Sequence, residues 1–139
     1  MIAKLVQLLR GRPAPALPEL RGRPRIRREK TYAADSGYVY HYTYEGYRPA
    51  ARDGAEGRDF VFRCTSDRAT GFSITVFAPD DSFARWERAE RRELNEAERY
   101  AVVKMQLFET FDEFERISRD MRERLTPERV ERQITALDL

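Results

Sequence analysis

Between residues 38 and 78 the chain alternates apolar and polar positions with a period of two, the signature of half-buried strands. In segment 38–45, Tyr38, Tyr40, Tyr42 and Tyr44 share one face, and Val39, His41, Thr43 and Glu45 share the other. In segment 59–65, Phe60, Phe62 and Cys64 oppose Val61 and Arg63. In segment 71–78, Phe72, Ile74, Val76 and Ala78 oppose Ser73, Thr75 and Phe77. The polar stretch 66–71 makes the last two segments a hairpin. Each strand therefore has an apolar or aromatic face and a mostly polar one, which predicts an antiparallel sheet covered on one side.

The period then changes. Residues 79–82 (Pro-Asp-Asp-Ser) predict a turn and an N-cap, with Phe83, Trp86 and Leu94 anchoring a first helix. Asn95 followed by Glu98 has the form of a capping box. From residue 97 onward Tyr100, Ala101, Val103, Met105, Leu107, Phe108, Phe111 and Phe114 fall within one helical arc, and Met121 and Leu125 extend the stripe. Val102, Val103 and Phe108 would also suit a fourth strand over 100–108, but more positions fit the helical period. Thr110 followed by Glu113 has the spacing of a further capping box, where the helix would break. Thr126-Pro127-Glu128 opens a last helix with Val130, Ile134 and Leu137 on its face.

At the N-terminus Ile2, Leu5, Val6 and Leu9 lie at helical spacing, while Pro13, Pro15, Pro18 and Pro24 make residues 11–30 an extended arm. The whole predicts an α+β fold: a three-stranded antiparallel meander sheet covered on one face by C-terminal helices, preceded by a short helix and an extended basic arm. Residues 1–30 form the helix and arm, and residues 31–139 a single α+β domain. A helix, three strands and a helix also describe a double-stranded-RNA-binding domain. The helix after the third strand opens without the lysine cluster that family uses on phosphates, so no role is carried over from it.

Charge divides along the same boundary. The 139-residue chain has a formal net charge of +2. Residues 1–30 hold nine basic and two acidic residues, a net of +7, whereas residues 31–139 hold 17 basic and 22 acidic, a net of −5. In the helices, Glu87–Arg91, Asp112–Arg116, Glu115–Arg119, Asp120–Arg124 and Glu128–Arg132 stand at i,i+4 and are expected to pair. The arm's Arg10, Arg12, Arg21, Arg23, Arg25, Arg27 and Arg28 have few acids near them in sequence. They form the first candidate binding surface, suited to an acidic protein partner or a second copy of the chain.

The tetrapeptide Arg-Gly-Arg-Pro occurs twice, at 10–13 and 21–24. It resembles the core of an AT-hook, the short minor-groove DNA-binding motif. The resemblance implies arginines in a narrow, negative groove and a glycine that lets the backbone approach. Arg25, Arg27, Arg28 and Lys30 would then meet phosphates. Nucleic acid is therefore the alternative partner. The N-terminal apolar face could also touch a membrane surface weakly, since it spans two to three turns.

Catalytic and metal motifs are scarce. One Cys and one His cannot build a Cys/His zinc site in one chain, and no phosphate-cradling glycine loop or nucleophile elbow is present. No cofactor is expected, and a non-catalytic protein is preferred. His41 and Cys64 fall on opposite faces of the sheet, which excludes a Cys–His dyad. His41 and Arg63 on the polar sheet face, or Tyr47, Arg48 and Arg52 from a long loop over 46–57, make a second candidate contact surface, and a small-ligand binder or enzyme using His41 and Arg63 on the polar face is the second alternative function. The four tyrosines read as core in preference to a base-stacking platform. The absence of a continuous apolar export segment, together with one unpaired cysteine, points to a cytoplasmic protein.

Overall fold

A computed structural model describes residues 17–139. The short helix predicted within residues 1–10, and the arm residues Arg10 and Arg12, lie outside that range. The elements are β1 (Lys30–Ala33), β2 (Val39–Arg52), β3 (Ala55–Thr65), β4 (Gly71–Pro79), α1 (Asp80–Glu90), α2 (Glu96–Glu113), β5 (Met121–Arg124) and α3 (Pro127–Leu137). The strands form one sheet in the order β1-β2-β3-β4-β5. Every pairing is antiparallel except β4 with β5.

The α+β class agrees with the alternation, but the sheet has five strands where three are predicted. The additional two are short edge strands with weak patterns. β1 is Lys-Thr-Tyr-Ala and β5 is Met-Arg-Glu-Arg. Met121 and Leu125 are spaced like a helical stripe, yet Met121 pairs with Ile74 and the Leu125 N–H donates to the Phe77 carbonyl at 2.8 Å. Tertiary pairing overrides the local period there.

The predicted loop over 46–57 is also corrected, because it is two strands and a tight turn. β2 continues to Arg52 and β3 starts at Ala55, leaving Asp53-Gly54 as the connection. Their φ values of 51° and 77° are the paired positive angles of a type I′ turn, which matches the twist of a hairpin. Within β2 the register shifts between Tyr44 and Gly46, opposite Phe62 and Val61. Glu45 is the extra residue of this bulge, and Gly46 takes φ 114°. The shift puts Tyr47 opposite Phe60, on the same face as Tyr40, Tyr42 and Tyr44.

Helix ends follow local chemistry. The capping box at the start of α2 is present: the Glu98 N–H donates to Asn95 Oδ1 at 2.8 Å and the Asn95 N–H to Glu98 Oε1 at 3.0 Å. Such caps contribute about 1 kcal/mol. α2 then runs unbroken through Thr110, whose hydroxyl donates to the Gln106 carbonyl at 3.0 Å instead of capping a new helix. Residues 100–108 are therefore helix. Thr126 caps α3, accepting from the Arg129 N–H at 3.3 Å, with Pro127 following. α1 has Pro79 at its cap and no side-chain cap bond.

The helices cover the aromatic face. Tyr40, Phe62, Phe72, Ile74 and Val76 pack with Val102, Val103, Leu107, Phe111, Val130 and Ile134 into one core. Tyr40 stacks on Phe111 with ring centroids 4.3 Å apart. None of the expected i,i+4 ion pairs forms among the described residues; three of the carboxylates, Glu87, Asp112 and Asp120, turn to other elements, and Arg132 is taken by Glu109. Glu87 binds Arg99 at 3.2 Å, Glu109 binds Arg132 at 2.8 Å and Asp120 accepts from the Ser73 N–H at 2.8 Å. Asp112 accepts from the Tyr32 hydroxyl at 2.6 Å and the Asp35 N–H at 2.9 Å. No described helix is long and apolar enough to cross a membrane.

Candidate functional site

The arm is built onto the edge of β2. Arg21 and Tyr47 exchange two backbone hydrogen bonds, 2.7 Å from Arg21 N to the Tyr47 carbonyl and 2.8 Å in return. Nine residues later the chain returns to the same edge, where Lys30 pairs with Tyr42 as β1 begins. Between these anchors the arm bows over the bulge. The Glu45 carboxylate holds it there, binding Arg23 at 3.1 Å and Arg27 at 3.2 Å, while Arg23 Nε donates to the Glu45 carbonyl at 3.2 Å. Gly22, with φ 70°, lies against the Tyr47 ring so closely that a Cβ would meet Cε1 at 2.9 Å. Arg21, Arg25 and Arg28 are exposed and have no ion pair among the described residues.

Beneath the bow is a cleft of about 580 Å³. Its arm wall presents alternate residues, Gly22, Pro24, Ile26, Arg28 and Lys30. Its floor is Tyr42, Tyr44, Tyr47 and Phe60 from β2 and β3, and its far wall is Glu96, Ala97 and Tyr100 at the start of α2. Tyr44 and Tyr100 sit with ring centroids 4.8 Å apart. Burial raises the pKa of both hydroxyls, and it pushes the Tyr42 hydroxyl up to about 12, so all three remain protonated donors at neutral pH. Arg58 lies 4.6 Å from the Tyr47 ring centroid and binds Glu96 at 2.9 Å. The Lys104 ammonium stands 6.0 Å from the Tyr42 ring. Desolvation, then the charge of Lys30, lowers its pKa.

The predicted second patch is divided by the sheet, with Tyr47 on one face and His41, Arg48, Arg52 and Arg63 on the other. Tyr47 faces the cleft, whereas Arg48 and Arg52 point to the opposite face of the sheet, as strand alternation requires. Arg52 is taken up by the buried Asp59. His41 and Arg63 share the outer face without touching. The His41 Nδ1 lies 3.3 Å from Glu29 Oε1, and Arg68 Nε donates to His41 Nε2 at 3.2 Å. His41 thus joins the end of the arm to the β3–β4 turn. The Arg63 guanidinium instead spreads over Gly71, where a Cβ would meet it at 2.6 Å. Cys64 is 1% exposed, facing the core, away from His41. Among the described residues no group of three His, Cys, Asp or Glu could hold a metal.

No protein-family model matches the chain, and neither curated proteins nor solved structures give a match.

The sequence does carry a signal for the arm's docked form: Arg21, Arg23, Arg25 and Arg27 alternate with Gly22, Pro24 and Ile26. That period of two matches the cleft-facing set of even residues. The prolines mask it by suggesting a solvated chain.

Proposed function

We propose that this protein is a non-catalytic binding or assembly domain whose anchored basic arm engages an acidic protein surface. The observation that carries it is the division of labour among the arginines. Arg23 and Arg27 fasten the arm to Glu45, and Arg21, Arg25 and Arg28 remain exposed without a carboxylate among the described residues. Residues 1–16 contain no Asp or Glu, so that segment offers these arginines no carboxylate side chain. The same arm exposes Leu17 and Ile26, at 69% and 67%. Apolar side chains set among cations suit a protein surface better than a phosphate backbone.

The DNA alternative is less well supported. A minor-groove hook needs its glycine backbone and both arginines free. In the second Arg-Gly-Arg-Pro copy Gly22 lies on Tyr47, the Arg21 backbone is paired with β2 while its side chain stays exposed, and Arg23 is bound by Glu45. An enzyme centred on His41 is also weaker, since both ring nitrogens are engaged by Glu29 and Arg68.

The test is affinity purification with the wild type and an Arg21→Glu/Arg25→Glu/Arg28→Glu variant, alongside sedimentation of the purified proteins. The variant should lose an acidic partner, or its own self-association, with an unchanged circular-dichroism spectrum. Equal partners and equal mass for both proteins would refute the proposal. So would salt-dependent duplex binding as the one property lost.

A further inference from the structure

We propose that the cleft between the arm and the tyrosine face is a binding site for a planar aromatic anion, a ring system bearing a carboxylate or phosphate group. Its volume of about 580 Å³ falls within the range of roughly 300–1,000 Å³ usual for small-molecule sites. Its surfaces are those that flat rings prefer. Tyr44, Tyr47, Phe60 and Tyr100 provide π-faces and edges, with hydroxyls to orient a polar substituent.

The charge of the site selects an anion. Arg28 and Lys30 line the arm wall, and the Lys104 ammonium lies beside Tyr42, the ladder partner of Lys30. None of these three cations has an ion pair among the described residues, and the acid in the lining, Glu96, is already bound by Arg58 at 2.9 Å. Lys104 stands behind the lining beside Tyr42, where the charge of Lys30 acts on it, and an anion placed between the two ammonium groups removes that repulsion. The volume suits a small molecule, with room for an aromatic ring system and its anionic group, and not a nucleic-acid duplex or a protein helix. Arg28 belongs to the exposed set as well, so the two lysines, which the outward surface does not use, carry the test.

The experiment titrates the full-length protein with 1-naphthoate and 1-naphthyl phosphate, followed by amide NMR and calorimetry. The controls are naphthalene-1-methanol, which is neutral, and cyclohexanecarboxylate, which is not aromatic. The aromatic anions should bind and shift the amides of Lys30, Tyr44, Ala97 and Tyr100. Each control should bind about tenfold more weakly or worse. Lys30→Gln with Lys104→Gln should cost a similar factor. Ala97→Trp should fill the cleft and abolish binding, and Arg63→Gln on the opposite face should leave affinity unchanged. If Ala97→Trp does not fold, the lysine pair still decides. No binding at millimolar ligand, equal binding of naphthalene-1-methanol, or affinity indifferent to both lysines overturns the proposal.

Discussion

The backbone N–H of Ile117 donates a 3.0 Å hydrogen bond to the hydroxyl of Tyr40, and both residues are buried, at 2% and 0% exposure. This bond ties the segment after α2 to the start of β2, across 77 residues of chain. Tyr40→Phe keeps the ring stack on Phe111 and leaves the N–H without a partner. The expected loss is about 1–3 kcal/mol. Urea unfolding should show it as a lower midpoint with an unchanged slope.

Arm docking should be separable from the stability of the sheet. Gly22→Ala places a Cβ against the Tyr47 ring at a positive φ, so it should loosen the arm. Trypsin would then cut after Arg21, Arg25 and Arg27 faster than in the wild type, with little change in Tm. Glu45→Gln should act in the same direction. Its pairs with Arg23 and Arg27 are about half exposed on the arginine side, so they contribute under about 1 kcal/mol and fade with salt. Unchanged proteolysis in both variants would show that Arg21 and Tyr47 hold the arm alone.

The Asp53-Gly54 turn sets the register of the long hairpin. Gly54→Ala forces an L side chain into φ 77° and should cost about 1–2 kcal/mol. Asp53→Asn should be close to neutral, because Asn also tolerates the left-handed region. Equal melting of Gly54→Ala and the wild type would contradict the turn assignment.

Alkaline pH should destabilise the fold in steps. Burial pushes the Cys64 thiol up to about 12 from its usual 9.0, and the Tyr42 hydroxyl up to about 12 from 10.0. Tyr32 and Tyr44 are raised in the same way, Tyr32 by burial and then by its bond to Asp112. Each folded group holds its proton more tightly than the unfolded chain does. Their contribution is therefore complete below the unfolded values and is lost as pH rises from about 9 toward 12. Denaturation midpoints across that window, with phenolate absorbance as a second probe, check the sign. Cys64→Ala should remove the earliest step. In the native protein Cys64 should resist alkylation at pH values where the unfolded thiol reacts.

Most of the fold was legible where period and capping agree. The cores of the three central strands, the Asn95–Glu98 box and the Thr126-Pro127 start are local chemistry, and each falls within the element that forms. The edge strands were not legible, since Lys30–Ala33 and Met121–Arg124 are ordered by their neighbours and not by their own composition. The long hairpin was obscured for a different reason. Its Asp-Gly turn is a recognisable signal, but Gly46, Pro49 and two alanines dilute the strand pattern on one side. The cleft was half legible. Tyr42, Tyr44 and Tyr47 were visible as aromatic positions, but the arm that walls them carries proline and arginine, a composition that ordinarily signals a free tail. Its order comes from Glu45 and Tyr47, which lie well beyond it in sequence, on β2.

Chain-length changes are usually tolerated in loops and costly in strands, yet the one-residue surplus at Glu45 makes β2 tolerant of one particular loss. Deleting that residue would leave Tyr44 and Tyr47 two positions apart in a regular ladder, so Tyr47 would stay opposite Phe60 and in the aromatic layer. The arm would lose only the carboxylate that binds Arg23 and Arg27. Deleting Glu45 and Gly46 together would bring Tyr47 next to Tyr44 and, in a regular ladder, turn it to the outer face, and the cleft would lose part of its floor. For this strand the odd or even length of a gap matters more than its size.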